Sequence, residues 1–284
     1  MDALLREPTL LAVPFFLLFI GLELVSLKVL DDGEEPSGAS VGYERKDSTA
    51  SLSMGLGSVV VNVFARAAAL VGYTALYAVS PLRLDPHRWW TWVVGLLLVD
   101  VLWYSYHRSS HRVRVLWAMH QAHHSSVHFN YTTALRQKWN PWGELLFWVP
   151  LPLLGMPPWM IFFAFSLNLI YQFWVHTETI PKLWRPIELV FNTPSHHRVH
   201  HACDEEYLDR NYAGILIIWD RLFGTFREEQ TRPTYGLTHP VTTYNPFRLQ
   251  YGELSQMFRD IRTAPRWRDR LGYVFAPPGW SPEV

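Results

Sequence analysis

The chain has 284 residues, and 25 basic side chains balance 25 acidic ones to a net charge of zero. Only 18% of residues are charged, 49% are apolar and 15% are aromatic, which excludes a disordered chain and a strongly basic nucleic-acid binder. The single cysteine, Cys203, excludes an internal disulfide, a zinc ribbon and a cysteine-held iron–sulfur cluster.

Five apolar runs organise the chain. A hydrocarbon core of about 30 Å needs about 20 mostly apolar residues of helix. Residues 9–30, 54–79 (interrupted by Asn62 and Arg66) and 89–106 (with Asp100 inside) meet that length. Residues 142–155 and 159–175 are shorter and are divided by Pro157 and Pro158. They read either as a tilted spanning hairpin or as a segment that enters and returns. Asp2 and Glu7 precede the first run and no clear small-residue cleavage site follows it, so the run is expected to stay as an anchor. The polar stretch 31–51 reads as a mobile linker. Residues 233–250, with Pro233, Gly236, Pro240 and Pro246, read as extended coil, and 252–273 as a peripheral helix. The expected division is a first membrane helix with its linker over 1–53, a membrane bundle with a histidine-rich cap over 54–230, and a C-terminal extended segment with a peripheral helix over 231–284.

Charge orients this arrangement. If all five runs cross, then 31–51, 107–141 and everything after His176 share one side, which holds 20 of the 25 basic residues. Arg6, Arg83 and Arg88 lie opposite. The asymmetry predicts a cytoplasmic face for the polar half. Trp89, Trp90, Trp92, Trp142, Trp148 and Trp159 sit near run ends, where amphipathic rings favour the interface. The expected fold is an all-α, multi-pass integral membrane protein with four to five transmembrane helices and a cytosolic histidine-rich helical cap. Arginine outnumbers lysine 21 to 4, which favours a bacterial inner membrane over an endoplasmic reticulum.

The histidines fall in boxes. His107 and His111 are four apart where the third run ends. His120, His123 and His124 form one HxxHH box; His197, His200 and His201 form another, preceded by His196. Spacings of three and four place rings on one helical face. His176 ends the fifth run, whereas His87, His128 and His239 read as surface or capping residues. One metal takes four to six ligands, so nine or ten neutral imidazoles suit two ions. A catalytic zinc needs only three protein ligands, and neither HExxH nor Glu-x-x-His occurs. An all-histidine pair suits non-haem iron that activates dioxygen. Two other classes stay open: a metal-binding membrane protein or transporter, for which only Asp100, Asn62, Arg66 and Asn168 are conspicuous polar groups within runs, and a zinc-dependent membrane hydrolase.

Asp100 lies seven residues before His107 on the same helical face, and so is a candidate to accept a ring N–H from a ligand. Asp209, Asn211, Asp220, Gln137 and Asn140 are weaker candidates of the same kind. Phe162, Phe163, Phe165, Tyr171, Phe173 and Trp174 are candidates for an apolar tunnel wall, with helix packing as the alternative.

The boxes HRSSH, HQAHH and HHRVHH resemble those of the membrane fatty acid hydroxylase/sterol desaturase superfamily over roughly residues 95–230. The segments LNLIYQFWVHTE (167–178), FNTPSHHRVHH (191–201) and NYAGILIIWDRLFGTF (211–226) look like the branch that includes alkylglycerol monooxygenase and bacterial sterol desaturase-like proteins. The resemblance implies a four-helix membrane bundle under a cap that holds two irons over a lipid tunnel. It also implies dioxygen as co-substrate. By position it implies His107, His111, His120, His123, His124, His176, His197, His200 and His201 as ligands, with His196 as a tenth. The activity implied is hydroxylation or desaturation of a lipid C–H bond. The chain shows no dinucleotide fingerprint, so the resemblance implies a separate electron donor: a reductase of cytochrome b5 or ferredoxin type, or a reduced pterin. Arg112 follows the second histidine of the first box, where the ether-lipid branch is expected to carry an acid. That difference points away from ether-lipid cleavage.

Overall fold

The computed structural model describes residues 8–29 and 42–282. Most of the expected linker, up to residue 41, lies outside them. Among the described residues there are thirteen helices and no strand, with two isolated antiparallel bridges, Phe191 with Leu216 and Ala202 with Tyr235.

Among the described residues two helices are long and apolar enough to cross a membrane. The first, α1 (Pro8–Val29), exposes most of its side chains, including Phe15 at 62% and Leu17 at 61%. Its one described acid, Glu23, turns inward and accepts the Tyr131 amide at 3.0 Å and the hydroxyl groups of Tyr43 and Thr177. The second, α2 (Arg45–Val79), begins nine residues before the apolar run. At about 1.5 Å per residue its 35 residues measure about 50 Å, well beyond a hydrocarbon core. Residues 45–51 are therefore helix and not linker. Glu44 caps them by accepting the Asp47 amide at 2.7 Å, and Asp47 is buried in an ion pair with Arg136 at 2.9 Å. A polar composition alone conceals both contacts.

The third helix, α3 (Trp89–Arg112), runs past its apolar stretch into the first histidine box, and α4 (Arg114–His124) follows after a single residue. After the short α5 (Tyr131–Ala134), the fourth apolar run is broken into α6 (Trp142–Phe147) and α7 (Pro150–Leu153), each too short to cross by itself. The segment nevertheless follows α2 lengthwise. The Trp139 indole donates to the Met54 carbonyl at 2.8 Å, with its ring on Gly57, where a Cβ would meet it at 2.5 Å. The Ser80 hydroxyl, at the far end of α2, donates to the Leu153 carbonyl at 2.6 Å. Gly155, at φ 85°, turns the chain against the Leu82 backbone. The returning helix, α8 (Pro158–Trp174), packs against α1, α2 and α3. Trp148, Leu151, Met156, Met160 and Ile161 fill the core between them.

The tunnel candidates are packing residues for the most part. Phe162 stacks on Tyr73, Phe165 lies against Trp103 and Trp148, and Phe173 stacks on Phe16 and Tyr131. The Tyr171 hydroxyl donates to the Asn192 carbonyl at 2.7 Å.

Beyond α8 come α9 (Arg185–Val190), α10 (Pro194–His200) and α11 (Ile218–Leu222). The expected peripheral helix is two helices, α12 (Pro246–Thr263) and α13 (Trp267–Phe275), separated at Pro265. Asn245 starts α12 within the expected coil by accepting the amides of Phe247 and Arg248. The first of the two helices is tied to α4. Its Glu253 and Asp260 both pair with Arg114, at 2.8 and 2.6 Å, and so fix the start of α4.

Candidate metal centre

Nine of the ten expected ligand histidines meet at the common end of α3, α4, α8 and α10. They form two groups. His107, His111, His120, His124 and His200 make the first; His123, His176, His197 and His201 make the second. Within each group the candidate ligand atoms lie within 4.8 Å of one another. The groups adjoin, with the ring centroids of His124 and His201 4.3 Å apart. Each HxxHH box is divided: His120 and His124 serve the first group while His123 serves the second, and His200 is separated from His197 and His201 in the same way. A spacing of four returns a ring to nearly the same helical direction, whereas neighbouring turns of the pattern diverge enough to face two centres.

The rings are held by backbone. Nδ1 of His107 donates to the Tyr212 carbonyl at 2.8 Å, that of His176 to Gln172 at 2.7 Å, that of His200 to Arg210 at 3.0 Å and that of His123 to Arg136 at 3.3 Å. This fixes the tautomer and leaves each Nε2 as a bare lone pair turned inward. The lone pairs converge. Nε2 of His107 lies 3.0 Å from that of His120, His176 lies 3.0 Å from His197, and His123 lies 3.3 Å from His176. In the last pair both nitrogens lack a proton, so they repel unless a cation lies between them. Two nitrogens each about 2.1 Å from one ion, at roughly a right angle, would be about 3.0 Å apart. The Nε2 atoms of His111, His200 and His201 are buried without a protein partner. The donor set, spacing and orphaned nitrogens fit two imidazole-bound transition-metal ions.

Burial keeps these rings neutral. It pushes His176 down to about 3 and His200 to about 4, and burial together with neighbouring rings holds His120, His123, His124, His197 and His201 well below the usual imidazole range. Neutral imidazole is the form that ligates a metal.

His196 stands apart from both groups. Its Nε2 is 2.9 Å from Glu188 Oε2, its ring faces Phe226, and its carbonyl accepts the Asn211 side chain at 3.1 Å. Glu188 also accepts the Ser195 and Thr193 hydroxyl groups at 2.8 and 2.9 Å, so His196 helps to anchor the start of α10.

Asp100 does not touch a histidine. Its carboxylate accepts the amides of Ile215 and Leu216 at 2.8 and 3.0 Å, the Trp219 indole at 2.8 Å and the Asn168 amide at 2.8 Å. Asp220 accepts the amides of Tyr212 and Ala213 at 2.9 and 2.8 Å and the Thr225 hydroxyl at 2.6 Å. Together the two carboxylates hold the segment whose Tyr212 carbonyl orients His107. Asp209, at φ 60°, pairs with Arg112 at 2.6 Å and lies 3.8 Å from His111 Nδ1. Gln137 donates to the Ala134 carbonyl, and the Asn140 amide nitrogen is buried without a partner; neither bonds a histidine. His128 is buried, not a surface residue. Reading by residue type misses the Arg136 and Gln172 carbonyls, because every residue carries a carbonyl and only the fold selects one. It also misses Lys138, which forms a buried ion pair with Glu144 beside Trp103 and Tyr106.

Access to the two groups differs. A cleft of about 600 Å³ between α4, α12, the 236–239 loop and the 277–281 segment is lined by His111, His124 and His200 of the first group and by no ring of the second. Over the second group Phe129 stacks on Tyr235, with ring centroids 4.9 Å apart, and Phe129 lies 5.0 Å from His201.

The family model for fatty acid hydroxylase matches residues 92–225, which contain both groups. The chain belongs to the fatty acid hydroxylase/sterol desaturase superfamily. It is 40% identical over 278 residues to alkylglycerol monooxygenase of Homo sapiens, covering 95% of this chain and 59% of that protein. It is 42% identical over 240 residues to alkylglycerol monooxygenase of Xenopus tropicalis, covering 83% of this chain and 53% of that protein. It is also 30% identical over 142 residues to an ornithine lipid hydroxylase of Rhizobium tropici, covering 47% of this chain and 41% of that protein. The chain thus spans little more than half the length of the alkylglycerol monooxygenases it matches. No solved structure matches. The matched range spans the histidine boxes and their connecting segments, and it weighs against the transporter and hydrolase alternatives.

Proposed function

We propose that this chain is a membrane-bound non-haem di-iron oxygenase that hydroxylates or desaturates a C–H bond of a lipid, using dioxygen and electrons from a separate donor. The observation that carries the proposal is the division of nine histidines, eight of them buried, into groups of five and four, with four of the rings fixed by backbone carbonyls so that Nε2 turns inward. His107, His111, His120, His124 and His200 would hold one iron; His123, His176, His197 and His201 would hold the other. A pair of irons so held would supply activation of dioxygen: with two external electrons and two protons, one oxygen atom would leave as water and the other would enter the substrate C–H bond, or two substrate hydrogens would be lost to give an alkene and both oxygen atoms would leave as water.

The chain's own part is binding, orientation and exclusion of water. The four backbone carbonyls keep the rings in one tautomer. The Phe129–Tyr235 stack lies over the second group, whose four rings are buried. The exposed apolar faces of α1 and α2 are the surface a bilayer would cover, with α3, the α6–α7 segment and α8 as the further crossings and the histidine cap on the cytoplasmic side. A lipid tail would then reach the centre from the helix bundle, and electrons from the cleft side. The names of the relatives make an alkylglycerol the first substrate to test, despite Arg112. A reductase or a reduced pterin remains the donor class.

The decisive test is metal content per chain together with ¹⁸O₂ labelling of product from an alkylglycerol or phospholipid acyl substrate. Two irons and labelled product are expected. One zinc per chain and oxygen-independent turnover would sink the reading.

A further inference from the structure

A second site lies on the flank of the cap. A cavity of about 310 Å³, at the lower end of the roughly 300–1,000 Å³ typical of ligand sites, is lined by Arg108 and Arg112 from α3, by Arg210, and by Tyr212, Phe223 and Thr225. Asp209 also lines the cavity, and its carboxylate balances Arg112 at 2.6 Å. Arg108 donates to the Tyr104 hydroxyl at 3.1 Å and Arg210 to the Gly224 carbonyl at 3.5 Å, and among the described residues neither has a carboxylate partner. Two uncompensated guanidinium groups therefore converge on one cavity. Like charges held together in this way are relieved by an anion, and guanidinium forks match phosphate oxygens.

The surroundings identify the anion's carrier. Gly224, at φ 72°, follows Phe223 at the cavity rim and Leu222 next to it in sequence, 49% and 71% exposed. Beside them α9 exposes Ile187, Leu189 and Val190, preceded by Trp184, and Arg221 ties α11 to α9 through the Glu188 carbonyl at 3.1 Å. An apolar skin next to a cationic cavity, at the end of a long apolar helix, is the pattern of an interfacial lipid contact. We propose that this cavity binds the phosphate of a membrane phospholipid and seats the cap on the bilayer. The inference rests on the membrane placement in the reading above but not on the reaction. The Tyr212 ring separates the cavity from the histidines, 5.3 Å from His111, so the bound phosphate anchors the cap without meeting the ring nitrogens.

The test uses the full chain in maltoside micelles. The thermal midpoint is followed against dihexanoyl phosphatidylglycerol, dihexanoylglycerol and inorganic phosphate, with metal content measured on the same samples. The phosphatidylglycerol is expected to raise the midpoint saturably. Arg108→Gln with Arg210→Gln should raise the half-saturating concentration by about ten-fold or more, with metal content unchanged. If that pair does not fold, Arg210→Gln alone carries the test at about three-fold, because its side chain makes only the long Gly224 contact and the backbone carbonyl that holds His200 is retained. The proposal is overturned if the variants keep the wild-type lipid dependence, if dihexanoylglycerol acts as well as the phospholipid, or if inorganic phosphate saturates at the same concentration and thereby marks a free-anion site. Metal content reports separately on the oxygenase reading.

Discussion

The Asp100 carboxylate accepts the Ile215 amide at 2.8 Å, three residues beyond the Tyr212 carbonyl that orients His107. A carboxylate deep in α3 thus acts on a candidate ligand through the backbone of a loop more than a hundred residues away. Asp100→Asn keeps the size but replaces an acceptor oxygen with a donor facing the Ile215, Leu216 and Trp219 N–H groups. The expected cost is about 2–3 kcal/mol of stability, with about ten-fold weaker metal retention against a chelator. Equal metal retention in the variant and the wild type would refute this linkage.

Ligands and neighbours separate by mutation. His123→Ala removes one of only four nitrogens in the second group, so metal per chain is expected to fall from two towards one, with loss of turnover. His196→Ala leaves both groups intact and removes the Glu188 contact instead. Its metal content is expected to stay at two while thermal stability drops. Elemental analysis of the two purified variants decides, and metal loss in the His196 variant would return that ring to the ligand set.

Arg136 ties α2 to the end of α4. It donates to Asp47 at 2.9 Å, to Ser51 and Ser125 at 3.0 Å and to the Ala122 carbonyl at 3.2 Å, while its own carbonyl receives His123. Removing one partner of a buried ion pair costs about 3–5 kcal/mol, and removing both costs less. Arg136→Met should therefore inactivate on heating well before wild type, and adding Asp47→Leu should recover part of the loss. A double variant no better than Arg136→Met would show that the ion pair is not the source of the effect.

Acid should weaken the metal-stripped protein in one window. His176 and His200 titrate at about 3 and about 4 when folded, against roughly 6.5 in an unfolded chain. Between these limits the unfolded state binds more protons, so stability rises with pH and is lost progressively as pH falls from about 6.5 towards 4. Above 6.5 these rings contribute no slope. A thermal midpoint that stays level from pH 7 to 4.5 would contradict the burial of the rings in the folded chain.

The histidines were legible because spacings of three and four are local, and His176 because it closes an apolar run. Their division between two centres was not, since it depends on how α4 and α10 face each other. The helical character of 45–51 was hidden for a related reason: Asp47 looks like a linker acid until Arg136, 89 positions later, is placed beside it. Asp100 stands out as an acid in an apolar run, but its partners, the Ile215 and Leu216 amides and the Trp219 and Asn168 side chains, come from distant segments that only the fold brings to it. The role of α12 depended on Arg114, which read simply as one more positive charge.

The cleft beside His111, His124 and His200, with the Phe129–Tyr235 stack over the other four rings, would make the two halves of a two-ion centre unequal in exchange. A water-soluble chelator should empty the five-histidine half first and leave the four-histidine half occupied. Partial stripping would then yield a homogeneous one-ion species and not a statistical mixture. That species could be refilled with a different element to build a mixed pair in a defined order.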